Sequence, residues 1–114
     1  MNQFISYIDQ SVKSLVQEEK NLAASDRKDE SNLVKVRINV YGICKSMYGV
    51  LSNRTENRGW KADFLQKMEN MEQSWYSSYE KAKEHDDVKK AVIEEIKLQT
   101  LEEVKNKFMT TEEN

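Results

Sequence analysis

The fold class depends on one stretch of the sequence, residues 33–50, which reads LVKVRINVYGICKSMYGV. Apolar and polar residues alternate from Val34 to Val40, which is the pattern of a half-buried β-strand. The whole stretch also places an apolar residue at every third or fourth position, at Leu33, Val36, Val40, Ile43, Met47 and Val50, which indicates a helix. The helical pattern accounts for eighteen residues and the alternation for only seven. We therefore expect a helix over residues 30–52.

The rest of the sequence repeats this helical spacing. It predicts a first helix over residues 3–23, a third over 57–84 and a fourth over 87–109, followed by a frayed tail at 110–114. Proline is absent and glycine occurs three times, so turns are few. Each amphipathic helix must bury its apolar stripe against the others. The sequence therefore predicts a single all-α domain over residues 1–114, an antiparallel up-down-up-down four-helix bundle with short polar loops and no evident internal repeat.

Composition and charge narrow the classes of function. The 114 residues carry a formal net charge of −2, and positive charge exceeds negative charge only in residues 25–58. Nucleic-acid binders usually carry a strong basic excess, so we expect no nucleic-acid partner. No apolar run approaches the ~20 residues of a membrane-spanning helix, and the N-terminus lacks the pattern of a secretory signal. We therefore expect a cytoplasmic protein with no membrane insertion.

The residue types used in catalysis form no motif in this sequence. Cys44 and His85 are the sole cysteine and histidine. Cys44 lies on the apolar stripe and His85 lies in a predicted loop, so a nucleophilic pair is not expected. The glutamates of the last helix lie mostly beside its apolar stripe, which is typical of a solvated face. We expect no catalytic residue, metal or cofactor, and we do not expect an enzyme.

Aromatic residues concentrate in the third helix and provide the first candidate contact surface. Tryptophan and tyrosine are enriched in partner-binding hot spots and ligand pockets, although they also form ordinary cores. Tyr76 lies one position off the apolar stripe and is the best candidate for exposure. Two arginines lie near the start of the same helix, whose N-terminus favours an anion or an acidic surface. The candidate contact residues are Trp60, Phe64, Trp75, Tyr76, Arg54 and Arg58.

Small residues on the second helix provide another candidate surface. Gly42, Ser46 and Gly49 lie on nearly one face, where another helix could approach closely. That helix could belong to the same chain or to a second copy, which would give a homodimer. The resulting hypothesis is a non-enzymatic interaction or regulatory module that binds a protein partner. The alternative is a small-ligand-binding bundle that holds an apolar or aromatic molecule near the helix-three aromatics.

Overall fold

The computed structural model describes residues 2–54 and 59–112, and within these ranges the chain forms four helices. They are α1 (Gln3–Ala24), α2 (Lys28–Ser52), α3 (Trp60–Glu84) and α4 (Val88–Glu112). No strand occurs among the described residues, so the helical interpretation of residues 33–50 and the all-α fold class are confirmed. No helix in these ranges is long and apolar enough to cross a membrane.

The helix boundaries differ from the predicted ones by a few residues. The largest difference is at the C-terminus, where α4 continues to Glu112 although fraying was predicted from residue 110. Phe108 is buried and anchors this last part of α4 to the core. The hydroxyls of Thr110 and Thr111 also donate hydrogen bonds to backbone carbonyls one turn earlier. At the start of α3, predicted residues 57 and 58 lie outside the described residues.

Helices α1 and α3 end in the same way, at the α1–α2 and α3–α4 loops. Asp26 and Asp86 both have left-handed backbones, with φ of 62° and 55°. The backbone N–H of Arg27 donates to the carbonyl of Leu22 at 2.9 Å, and the N–H of Asp87 makes the equivalent bond at 2.8 Å. This is the hydrogen bond of a Schellman ending. Aspartate accepts the left-handed conformation better than most side chains, so each loop reverses the chain within three residues.

The α1–α2 and α3–α4 hairpins form a structural repeat. Helices α2 and α4 cover equivalent positions, 60 residues apart. Most buried positions coincide as well, among them Phe4 and Phe64, Ile8 and Met68, Tyr41 and Leu101, Cys44 and Val104, and Tyr48 and Phe108. Identical residues occupy only four equivalent positions, which are Phe4/Phe64, Ser14/Ser74, Asp26/Asp86 and Lys45/Lys105. The repeat is therefore one of structure that residue identity does not reveal, because most buried positions need an apolar side chain but not a particular one.

Aromatic rings join the two hairpins at one end of the bundle. The ring centroids of Phe4 and Tyr48 lie 4.9 Å apart, and the equivalent distance, between Phe64 and Phe108, is 4.8 Å. Across the hairpins, Phe4 lies 5.3 Å from Phe108, and the equivalent pair, Tyr48 and Phe64, is 5.6 Å apart. The starts of α1 and α3 therefore meet the ends of α2 and α4. This arrangement is up-down-up-down, with α2 parallel to α4 and an approximate two-fold axis between the hairpins.

Candidate functional site

An apolar cleft lies between α2 and α4, toward the end of the bundle opposite the aromatic rings. Its volume is ≈ 400 Å³. Aliphatic side chains of Leu33, Val36, Val92 and Ile93 line it, and the exposed residues Asp29, Asn32 and Lys89 form its rim. Leu33 and Ile93 are equivalent positions of the two hairpins, as are Asp29 and Lys89. The cleft therefore lies on the approximate two-fold axis.

The apolar lining continues outward along the first turns of α4. Val88 is 72% exposed and Val92 is 40% exposed. These residues are four apart and share one face of the helix. Single exposed aliphatic residues are common on protein surfaces, but apolar residues that adjoin a concave apolar cleft are typical of a binding site. The α2–α4 cleft and this ridge of Val88 and Val92 together form the candidate site.

Opposite charges flank the two sides of the cleft. Asp29 belongs to the first turn of α2, whereas Lys89 belongs to the first turn of α4. In the part of the chain that the structure describes, neither side chain forms an ion pair. The neighbouring Glu30 is already paired with Arg27. The α2 side therefore presents an unpaired acid and the α4 side an unpaired base.

A second cleft, of ≈ 370 Å³, is polar and lies among α1, α2 and α4. Its lining includes Arg37, Tyr41 and Glu103. The hydroxyl of Tyr41 is hydrogen-bonded to that of Tyr7 at 3.1 Å. Burial and this hydrogen bond raise the pKa of Tyr7 well above its usual value. The hydrogen bond between the two hydroxyls links α1 to α2.

The structure does not bring the cysteine and the histidine together. Cys44 is buried within α2, and burial raises its pKa to about 12, so the unreactive thiol form predominates at neutral pH. His85 is exposed in the α3–α4 loop. Across residues 2–54 and 59–112, no group of three histidine, cysteine or acidic side chains could hold a metal ion.

Glu94 is a buried residue that the sequence analysis placed on a solvated face. It is 7% exposed, although the equivalent residue of the first hairpin is the apolar Val34. One carboxylate oxygen, Oε1, accepts a hydrogen bond from Lys97 Nζ at 3.2 Å, while Oε2 is buried without a partner among the described residues. Lys97 Nζ also lies 4.7 Å from the centre of the Trp75 ring. No signal in the sequence indicated this burial, because only the structural repeat places residue 94 at a position that is apolar in the first hairpin.

The helix-three aromatics predicted as contacts have different environments. Phe64 has no exposed surface and belongs to the core. Trp60 and Trp75 are partly buried and pack against the same core, whereas Tyr76 is 56% exposed, as expected. The two clefts described above are lined by α1, α2 and α4, not by α3. Of the two predicted arginines, Arg54 is exposed after α2, and Arg58 lies outside the described residues.

The small-residue stripe of α2 lies on the outer surface of the bundle. Gly42 and Ser46 are exposed, and Gly49 is partly exposed. A Cβ atom at either glycine would meet nothing within 4 Å. The alternative that a helix of the same chain packs on this stripe is therefore wrong for the described residues. The prediction of a contact with a second copy on this face stays a prediction.

In comparisons with known proteins, no family model, no curated protein and no solved structure matches this chain.

Proposed function

We propose that this chain is a non-enzymatic interaction module that binds a protein partner through the α2–α4 cleft. The observation that supports this proposal is the continuity between the cleft lining and the exposed ridge of Val88 and Val92. Burying such surface contributes roughly 25 cal/mol per Å² of apolar area removed from water. A partner that covers the cleft and the ridge would therefore gain affinity from apolar side chains that are exposed or half-buried in the free chain.

The shape of the cleft suits a protein segment with an apolar face. Parallel helices present Leu33 and Val36 on one side, and Val92 and Ile93 on the other. Grooves of this kind receive the apolar face of a helix. The charged rim of Asp29 and Lys89 resembles the polar border that surrounds the apolar centre of many protein interfaces.

A second candidate function is the binding of a small apolar molecule in the same cleft. Its volume of ≈ 400 Å³ supports this candidate, since ligand pockets commonly measure about 300–1,000 Å³. The helix-three location predicted from the sequence has weaker support because Phe64 is buried in the core. We favour the protein partner, since a cleft lined by only two helices leaves much of a small ligand in water.

Photo-crosslinking from defined positions tests the proposal. A benzoylphenylalanine residue introduced at Val92 should crosslink the full-length chain to a protein in its native cells. Position 50 provides a matched exposed valine on the small-residue side of α2, and Gln73 provides an exposed control on α3. Crosslinks from position 50 alone would move the interface to that side of α2. The absence of a protein adduct from position 92 would contradict the proposal, and a retained small molecule in native mass spectra would support the second candidate.

A further inference from the structure

We propose that the protein partner at the α2–α4 cleft is a second copy of this chain, so that two copies form a two-fold dimer. This inference rests on the proposed function, because it assigns the occupant of the same cleft. A two-fold interface must be self-complementary: each surface has to provide both what projects and what receives. The candidate site has both parts, since the strongly exposed Val88 lies one turn before Val92, which lines the concave surface together with Leu33, Val36 and Ile93.

The rim charges select one of the two-fold arrangements that bring the clefts face to face. In one arrangement, α2 of each copy lies over α2 of the other, which places Asp29 opposite Asp29 and Lys89 opposite Lys89. In the other, α2 of each copy lies over α4 of the second copy, so Asp29 meets Lys89 of the second copy twice. Both side chains lack an ion pair within the described residues, and opposite charges across an interface favour correct pairing. The self-complementary arrangement is therefore the second one.

In this arrangement, the ridge of each copy contacts the cleft of the other copy. Val88 is the most exposed of the large apolar residues described, and in the dimer it leaves water by entering the cleft of the second copy. The contact is separate from the face of Gly42, Ser46 and Gly49, which the sequence suggested as a possible dimer face. Charge changes at Asp29 and Lys89 should weaken a dimer at the cleft but not a dimer on the glycine face.

A charge-exchange experiment on the full-length chain tests this inference. Sedimentation velocity at increasing concentration should show the wild type associating to a dimer. Asp29→Lys and Lys89→Glu should each place like charges opposite each other twice, and each should raise the dimer dissociation constant at least about tenfold. An equimolar mixture of the two variants should restore association, because each pair across the mixed dimer is then attractive. Lys67→Glu makes the same charge change on exposed α3 and should leave association unchanged.

The outcomes distinguish the proposed dimer from the proposed function on which it rests. A wild type that stays monomeric at high micromolar concentration overturns the inference. If the dimer dissociation constant is unchanged by both charge changes, the contact lies elsewhere and the inference is overturned. The inference is also overturned if the equimolar mixture of the two variants does not associate. If the wild type is monomeric but position 92 still crosslinks to another protein, the second copy is excluded while the proposed function stands. If position 92 yields no adduct either, both proposals fail. Circular dichroism of every variant confirms that the helices are retained.

Discussion

The first hairpin (α1 and α2) and the second hairpin (α3 and α4) share one shape, but they differ in chemistry along their length. At the aromatic end the equivalent residues are large and apolar in both hairpins, as at Phe4 and Phe64. Toward the loop end they diverge: Val34 corresponds to the buried Glu94, and Asp29 corresponds to Lys89. The shared residues fill the core. The divergent residues either leave a buried polar atom without a partner, as Glu94 does, or lie at the cleft, where we propose that the protein acts.

The largest effect on stability is expected at the aromatic end, where equivalent positions of both hairpins are large and apolar. Phe64→Ala and Phe4→Ala should each lower the free energy of unfolding by about 3–5 kcal/mol, the usual cost of removing a buried phenylalanine ring. Urea denaturation followed by circular dichroism measures this loss. Tyr76→Ala removes an exposed ring and should change stability by less than about 0.5 kcal/mol. A large loss for one phenylalanine and a negligible loss for the other would show that the repeat does not extend to energetics.

The next effect concerns the position where the hairpins differ most, Val34 and Glu94. Glu94→Val should raise the free energy of unfolding by about 1–3 kcal/mol, because it removes a buried carboxylate oxygen that lacks a partner. Lys97 loses its acceptor but keeps its contact with the Trp75 ring. The exchange in the other direction, Val34→Glu, should destabilise the protein. Thermal unfolding of both variants provides the measurement, with exposed Glu95→Val as the control, and a clear loss of stability in Glu94→Val would contradict the expectation.

A smaller effect is expected on the outer face of α2, where the first hairpin has Gly42 and Gly49 and the second has Glu102 and Met109. Gly42→Ala and Gly49→Ala should each stabilise the protein by about 0.5–1 kcal/mol, because glycine is unfavourable inside a helix. The space around both positions is open, so no clash offsets this gain. Replacing both glycines by leucine should leave the sedimentation behaviour unchanged if the dimer forms at the cleft. Dissociation with retained helicity would instead assign the dimer to this face.

The helices were predictable from the sequence because their signal is local. An apolar residue at every third or fourth position depends only on the geometry of one helix. The alternation from Val34 to Val40 has a physical explanation as well. Helix α2 packs against α1 and against α4, so it needs a broad apolar surface. Val34 is buried, Val36 lines the cleft and Val40 lies in the core. Apolar residues on so wide a face resemble the pattern of a strand.

The candidate site was not predictable in the same way because it depends on how two distant hairpins meet. Leu33 and Ile93 are 60 residues apart in sequence, and nothing local indicates that they line one cleft. The repeat that relates them is visible in the burial pattern but not in residue identity. The aromatic residues, which drew attention in the sequence, pack mainly in the core. Tyr76 is the exception, since its predicted exposure is confirmed.

The last comparison concerns Cys44, whose equivalent in the second hairpin is Val104. Cys44→Val exchanges residues of similar size in a buried position, so the free energy of unfolding at pH 7 should change by less than about 1.5 kcal/mol. At alkaline pH, the free energies of unfolding of the wild type and of Cys44→Val should differ. In the unfolded chain the thiol ionises near its ordinary pKa of 9.0, whereas burial raises the pKa of the folded state to about 12. The unfolded state therefore releases a proton first, and the wild type loses stability as pH rises above 9.

The valine variant lacks this ionisation, so its stability should fall less steeply over the same pH range. Tyr7 is present in both proteins, and the difference between the two curves therefore isolates Cys44. Urea denaturation at several values between pH 7 and pH 10.5 measures the difference, since the window opens near the ordinary pKa of 9.0. A thiol reagent provides an independent check, because it should modify native protein far more slowly than denatured protein. Rapid native labelling, or parallel stability curves, would show that Cys44 is not enclosed by the core as Val104 is.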